Sequence, residues 1–143
     1  MLNILIPMGG PNNFDNVEYQ YPKPLIEVGG KPLVELVIDC LDKIQEEKRF
    51  IFIVNSTDCH KYYLDSVLHL ITNDQAIVLK LEKDTQGAAC SALMAIDYID
   101  SDDSLLISSS DHIIEYDLNK IIQQFNSREI DAGAVCFESV HPK

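Results

Sequence analysis

Tryptophan is absent from the 143 residues, and basic side chains are scarce: 11 Lys and Arg stand against 23 Asp and Glu, a formal net charge of −12. That excess repels a polyanionic backbone, and no cluster of Lys or Arg offsets it locally, so nucleic acid is excluded as a partner. A small anionic ligand stays open, because a few oriented donors or a divalent cation can overcome the overall field at one site. No apolar run approaches the ~20 residues that cross a bilayer. The start, Met1-Leu2-Asn3-Ile4-Leu5-Ile6-Pro7, has neither the basic opening nor the long apolar core of a secretory leader. The expectation is a cytoplasmic protein with no membrane partner.

Only four cysteines occur, Cys40, Cys59, Cys90 and Cys136, with no C-x-x-C pair among them. Their apolar or mixed neighbours predict buried thiols in a reducing compartment, not a disulfide framework or a metal centre. Gly-x-Gly-x-x-Gly and the Walker lysine pattern are missing as well, which leaves dinucleotide oxidoreductases and P-loop enzymes without support. The run Ser108-Ser109-Ser110 has no Gly-x-Ser-x-Gly elbow, and the neighbours Asp111-His112 form no evident relay with Ser110, so a hydrolase triad is rejected. Asp58-Cys59-His60 falls at a helix start and reads as capping chemistry.

What is present is an alternation of short β-branched runs with longer segments of helical period, in a chain long enough for one domain that buries roughly 68–70% of its unfolded surface. The predicted strands are Leu2–Pro7, Phe50–Val54, Ala76–Lys80, Ser104–Ser108 and Ala132–Phe137; the predicted helices are Pro32–Gln45, Asp58–Leu70, Gln86–Ile99 and Leu118–Asn126. In the first helix Leu33, Leu36, Val37, Cys40, Leu41 and Ile44 recur at spacings of three and four, which makes it a helix covering the sheet. Thr57 or Asp58 is the expected cap of the second. Leu105-Leu106-Ile107, after the polar turn Ser101-Asp102-Asp103, predicts a central apolar strand. The fold expected is α/β, a three-layer Rossmann-like, mainly parallel sheet flanked by helices. No repeat, low-complexity tract or linker divides residues 1–143, yet a last strand six residues from the end leaves little chain to wall a pocket.

Ligands of open parallel sheets bind outside the carboxyl ends of the strands. Three segments fall there: Met8-Gly9-Gly10, Thr85-Gln86-Gly87-Ala88-Ala89 and Ser108-Ser109-Ser110-Asp111-His112. Gly9 and Gly10 permit close backbone approach to a ligand, or serve an ordinary strand-to-loop turn. Pro22-Lys23-Pro24 is more specific, because two restricted neighbours fix where one ammonium can reach. Gln86, Gly87 and Ala88 offer a side-chain amide and free N–H groups to a planar base, or simply allow close helix packing. Asp111 stands after an apolar strand either as a ligand for Mg²⁺ or as a turn aspartate.

Taken together, Ile6-Pro7-Met8-Gly9-Gly10, Pro22-Lys23-Pro24-Leu25-Ile26, Gly30-Lys31-Pro32-Leu33, Thr85-Gln86-Gly87-Ala88-Ala89-Cys90 and Leu105-Leu106-Ile107-Ser108-Ser109-Ser110-Asp111 resemble, in order, segments of the sugar-phosphate nucleotidyltransferases. The resemblance implies the nucleotide-diphospho-sugar transferase type of fold and a place in nucleotide sugar biosynthesis. It implies transfer of a nucleotidyl group from a nucleoside triphosphate to a sugar 1-phosphate, with Mg²⁺ as cofactor and pyrophosphate as by-product. By the same resemblance Met8, Gly9 and Gly10 line the base and phosphate loop, Lys23 holds phosphates, Gln86 and Gly87 face the base, and Asp111 binds the metal. A homo-oligomer is compatible with it.

Two departures accompany the resemblance. The glycine-rich loop continues as Pro11-Asn12-Asn13-Phe14, so Pro11 removes a donor and neutral Asn13 stands nearest the place of an expected triphosphate-clamping arginine. The C-terminal part, where the family carries a second metal-binding acid and most sugar contacts, has no counterpart within residues 1–143. The alternative to an enzyme is therefore a non-catalytic nucleotide- or sugar-phosphate-binding module of the same ancestry, with an assembly partner that takes no ligand as a third class.

Overall fold

The computed structural model describes residues 1–10, 21–128, 130–136 and 138. Its elements run β1 (Leu2–Pro7), a 3₁₀ turn (Lys23–Leu25), β2 (Glu27–Val28), β3 (Lys31–Pro32), α1 (Leu33–Leu41), β4 (Lys48–Asn55), α2 (Ser56–Tyr62), α3 (Leu64–Ile71), β5 (Ile77–Leu81), α4 (Ala88–Leu93), α5 (Ile96–Ile99), β6 (Ser104–Ile107) and α6 (Leu118–Ser127). Four strands form one parallel sheet in the order β5-β4-β1-β6, and β2 pairs with β3 in a small antiparallel hairpin.

The two central strands, β1 and β4, are buried on both faces, which is why they are nearly continuous apolar runs. On one face Ile4 and Ile6 of β1 and Phe50, Phe52 and Val54 of β4 pack with Val34, Val37, Ile38 and Leu41 of α1, Leu64 and Leu68 of α3 and Leu118 of α6. On the other, Leu5, Ile51, Ile53 and Leu81 meet Ala92 and Ala95, with Ile99 of α5 alongside. The result is the expected three-layer α/β arrangement.

Several sequence expectations are corrected by the packing. The inward face of α1 keeps the expected Val37, Cys40 and Leu41, with Ile44 buried just beyond the helix end, and adds Val34 and Ile38, while Leu33 and Leu36 are only half-buried; the helix itself runs from Leu33 to Leu41 and not from Pro32 to Gln45. The predicted helix 58–70 is two helices, since Tyr63 takes the left-handed conformation (φ 55°, ψ 36°) and breaks the chain between α2 and α3. Its cap is neither Thr57 nor Asp58 but Asn55, whose side chain accepts from the Thr57 amide at 2.9 Å. The helix expected over 86–99 likewise divides, into α4 and α5.

The strand ending at Ile107 is apolar but not central: among the described residues β6 pairs only with β1. Leu105 and Ile107 lie on the face shared with Leu5, yet the α4 and α5 side chains gather over β1, β4 and β5, leaving them 42% and 59% exposed. Residues 132–136 do not form the predicted strand 132–137. They are exposed and irregular, without the ladder partner that a strand needs to satisfy its backbone, and Phe137 lies outside the described residues. Cys40 and Cys59 are buried as expected, whereas Cys90 and Cys136 are exposed, the first on the outer side of α4 and the second in that irregular segment. No helix among the described residues is long and apolar enough to cross a membrane.

Candidate functional site

The carboxyl edge of the sheet is where the separated segments meet. β1 and β4 extend their pairing one step past Pro7, the Met8 amide donating to the Ile53 carbonyl at 2.7 Å. Met8 and Gly9 are therefore buried at the edge, and Gly10 is exposed. On the other side of β1 the Ser108 amide donates to the Leu5 carbonyl at 2.9 Å, so Ser109, Ser110 and Asp111 follow directly beyond the end of β6. In strand order the Met8–Gly10 segment stands between the end of β6 and the ends of β4 and β5.

Lys23 comes to this edge from the 3₁₀ turn. The turn is closed by Leu25 N donating to the Pro22 carbonyl at 2.8 Å and Ile26 N to the Lys23 carbonyl at 3.2 Å, while Pro22 and Pro24 limit the backbone on either side. From there the Lys23 ammonium donates to Asp111 Oδ2, and the Ser109 hydroxyl donates to Asp111 Oδ1. The carboxylate is thus gripped on both oxygens. The Asp111 side chain is 20% exposed against 40% for Lys23, so the pair sits at the rim of the edge and not within the core. Burial pushes the Asp111 carboxyl upwards, but the hydrogen bonds from Lys23 and Ser109 outweigh it and leave the group below the ordinary carboxylate range. His112 Nε2 lies 3.9 Å from Oδ1 and points mostly into solvent.

Beyond β5 the Thr85–Ala88 segment is pinned to the start of α4. Thr85 Oγ1 lies 2.5 Å from the buried Ser91 hydroxyl and donates to the Gly87 carbonyl at 3.2 Å. Gly87 has φ 128°, a conformation open to glycine and strained for a side chain, and this leaves Gln86, Gly87 and Ala88 exposed. Gly9 ties this half of the edge to β1, since the Leu81 side chain lies against its Cα.

The structure accordingly brings Lys23 and Asp111 into contact, sets Met8, Gly9 and Gly10 at the neighbouring strand end, and holds Gln86, Gly87 and Ala88 on the loop after β5. Asn13, with Pro11 and Asn12, lies outside the described residues. The sequence reading places Ser109 in the polar segment at the strand end and rejects the serine run as a nucleophile, without assigning it to the Asp111 carboxylate. The available signal was a hydroxyl two residues before an aspartate, placed to hold its carboxylate. Cys59 is no reactive thiol, because burial pushes its pKa up. A separate groove of about 410 Å³, lined in part by Cys40, Lys43, Ile114 and Tyr116, includes neither Lys23 nor Asp111.

Comparison with known proteins gives this geometry a family. The model of the family described as nucleotidyl transferase matches residues 15–142. The bifunctional protein GlmU of Methanococcus aeolicus is 30% identical over 101 residues, which are 71% of this chain and 22% of that protein. A putative glucose-1-phosphate thymidylyltransferase from Bacillus anthracis, solved in complex with a sucrose, superposes with a TM-score of 0.73 at 16% identity, over 90% of this chain and 52% of that one. HddC from Yersinia pseudotuberculosis does so with a TM-score of 0.69 at 22% identity, over 87% and 54%. At such identities the two solved structures speak for the fold alone. The chain spans about a fifth of the curated relative's length and about half of each solved chain. Given a match that runs from residue 15 to residue 142 on a parallel α/β sheet, the chain belongs to the nucleotidyl transferase family.

Proposed function

We propose that this domain serves nucleotidyl transfer from a nucleoside triphosphate to a sugar 1-phosphate, giving a nucleotide sugar and pyrophosphate. The observation that carries the reading is the meeting of Lys23 and Asp111, far apart in sequence, beside the glycine segment at the carboxyl edge of the sheet. In that reaction an oxygen of the acceptor phosphate bonds to the α-phosphorus, the bond to the bridging oxygen breaks, and pyrophosphate leaves with the electron pair. Anions must be brought together, so alignment and charge neutralisation supply most of the catalysis.

Each residue has a part in this. The Lys23 ammonium, on its constrained turn, neutralises phosphate oxygens. Met8, Gly9 and Gly10 bring the backbone close to the nucleotide, Asn13 of the same loop adds a neutral polar side chain for it, and Gln86, Gly87 and Ala88 face the base. Asp111 suits Mg²⁺ in its donor chemistry: it is a largely buried carboxylate, oriented by Ser109, that already holds a positive charge in the form of the Lys23 ammonium. Bound there, Mg²⁺ would neutralise charge developing on the phosphates. Membership of the nucleotidyl transferase family supports a nucleotide as one of the substrates.

A second reading, a binding module without catalysis, is favoured by the loop Pro11-Asn12-Asn13, where a neutral asparagine stands nearest the place of a triphosphate-clamping arginine. Pyrophosphate release separates the two. Each nucleoside triphosphate, dTTP included, is offered with Mg²⁺ and a panel of sugar 1-phosphates, and calorimetric titration of the nucleotides runs in parallel. Release that disappears in Asp111→Ala supports the enzyme, nucleotide heat without release supports the module, and no heat with any nucleotide on folded protein defeats both.

A further inference from the structure

Both oxygens of the Asp111 carboxylate already accept a hydrogen bond, and one of the two donors is a cation. Ser109 holds Oδ1 and the Lys23 ammonium holds Oδ2. A divalent ion that binds a carboxylate oxygen at about 2.0–2.1 Å competes directly with an ammonium hydrogen-bonded to that oxygen. The hydroxyl is no competitor in the same sense, being neutral and able to keep the carboxylate oriented. Lys23 can vacate by side-chain rotation alone: its backbone is held in the closed 3₁₀ turn between two prolines, and a flexible four-carbon stem carries the charge.

We propose that Lys23 is the resident cation of Asp111 in the unliganded domain, and that metal and triphosphate enter by one exchange in which Lys23 passes to phosphate oxygens as the metal takes Asp111. The inference rests on the transferase reading above and adds a rule for how that site fills. Metal arriving alone must either sit beside the Lys23 ammonium, against like-charge repulsion, or break its charge-assisted hydrogen bond to Asp111. Triphosphate arriving alone draws Lys23 away and leaves a bare carboxylate beside its own negative charge, in a chain already at −12. When both arrive, each removes the other's penalty. The coupling is reciprocal, so each raises the affinity of the other by the same factor.

The test is a titration of Mn²⁺, as a probe for Mg²⁺, into the protein without nucleotide, followed by calorimetry and by the paramagnetic signal of the free ion. Lys23→Met and Lys23→Gln should bind Mn²⁺ on the order of tenfold more tightly than the wild type, the scale of one charged hydrogen bond removed from competition. Lys23→Arg should stay near the wild type, and Lys23→Met combined with Asp111→Asn should lose the gain. Melting temperatures establish that each variant is folded, and the Gln variant carries the test where Met fails to fold. Equal Mn²⁺ affinity at Asp111 in wild type and both neutral variants overturns the exchange while leaving the transferase reading standing. No Mn²⁺ at Asp111 in any variant, with or without a nucleoside triphosphate, overturns both.

Discussion

Gly9 lies directly against the Leu81 side chain, so closely that a Cβ at position 9 would collide with the Leu81 Cδ1 methyl. Leu81 is the last residue of β5 and is buried against Leu5, Ile51 and Ile53, so its side chain cannot swing outward without opening the core beneath it. Gly9→Ala should therefore destabilise the fold by about 1–3 kcal/mol, the usual cost of overpacking. Leu81→Ala alone should cost about 2–5 kcal/mol through its cavity. The double variant should lose less than the sum. Urea unfolding of the four proteins measures the coupling, and strict additivity would show that the two positions do not press on each other.

The start of α2 depends on one side chain. Asn55, the last residue of β4, accepts a hydrogen bond from the Thr57 amide and so satisfies a donor that the helix cannot satisfy itself. Asn55→Ala should cost about 0.5–2 kcal/mol and Asn55→Asp much less, because aspartate caps as well as asparagine. Thr57→Ala should be milder than Asn55→Ala, since its backbone and not its hydroxyl makes the bond. Denaturant midpoints order the three variants, and a larger loss at Thr57 than at Asn55 would contradict the assignment.

The central strands β1 and β4 were legible in the sequence because their cause is local. Ile4-Leu5-Ile6 and Phe50-Ile51-Phe52-Ile53-Val54 are runs that only a sheet covered on both faces can bury. What was not legible has causes elsewhere in the chain. Nothing in Tyr63 announces a left-handed residue, so two helices read as one. The apolarity of Leu105-Leu106-Ile107 reports a preference for burial but not the number of neighbouring strands, and β6 stands at the edge. At the site, the sequence pointed to Lys23 and Asp111 singly. Their contact and the grip of Ser109 arise only when the β6 loop meets the turn after β1, a relation between distant segments that no spacing encodes.

Two carboxylates give the stability a predictable dependence on acid. Asp65 is held below the ordinary range chiefly by its hydrogen bond from Lys80, at 2.6 Å, with burial acting the other way. Asp111 feels burial most, which raises it, yet Lys23 and Ser109 together bring it below the ordinary value. A carboxyl lower in the folded than in the unfolded chain binds fewer protons when folded. Its contribution is thus present above the unfolded value of about 3.9 and is lost as the pH falls through the folded value. Stability should decline below about pH 4, and Asp65→Asn and Asp111→Asn should each flatten that decline. Urea midpoints measured across the acid range test this; an unchanged slope in both variants would mean that other carboxylates control it.

Tyr63 offers a gain in stability. It is 69% exposed, closes α2 through its amide to the Cys59 carbonyl at 3.0 Å, and does so with φ 55°, where an L side chain crowds its own backbone. Relief of that strain by glycine is worth about 1–2 kcal/mol, against about 0.5–1 kcal/mol for the added freedom of glycine in the unfolded chain. Tyr63→Gly should therefore raise stability by up to about 1.5 kcal/mol, and Tyr63→Asn should change it little, since asparagine tolerates the left-handed region. Tyr63→Val should lower it, because a β-branched side chain fits that conformation worst. Unfolding midpoints should run Gly above Tyr and Tyr above Val; a destabilised glycine variant would mean that the Tyr63 ring contributes more by packing than its exposure suggests.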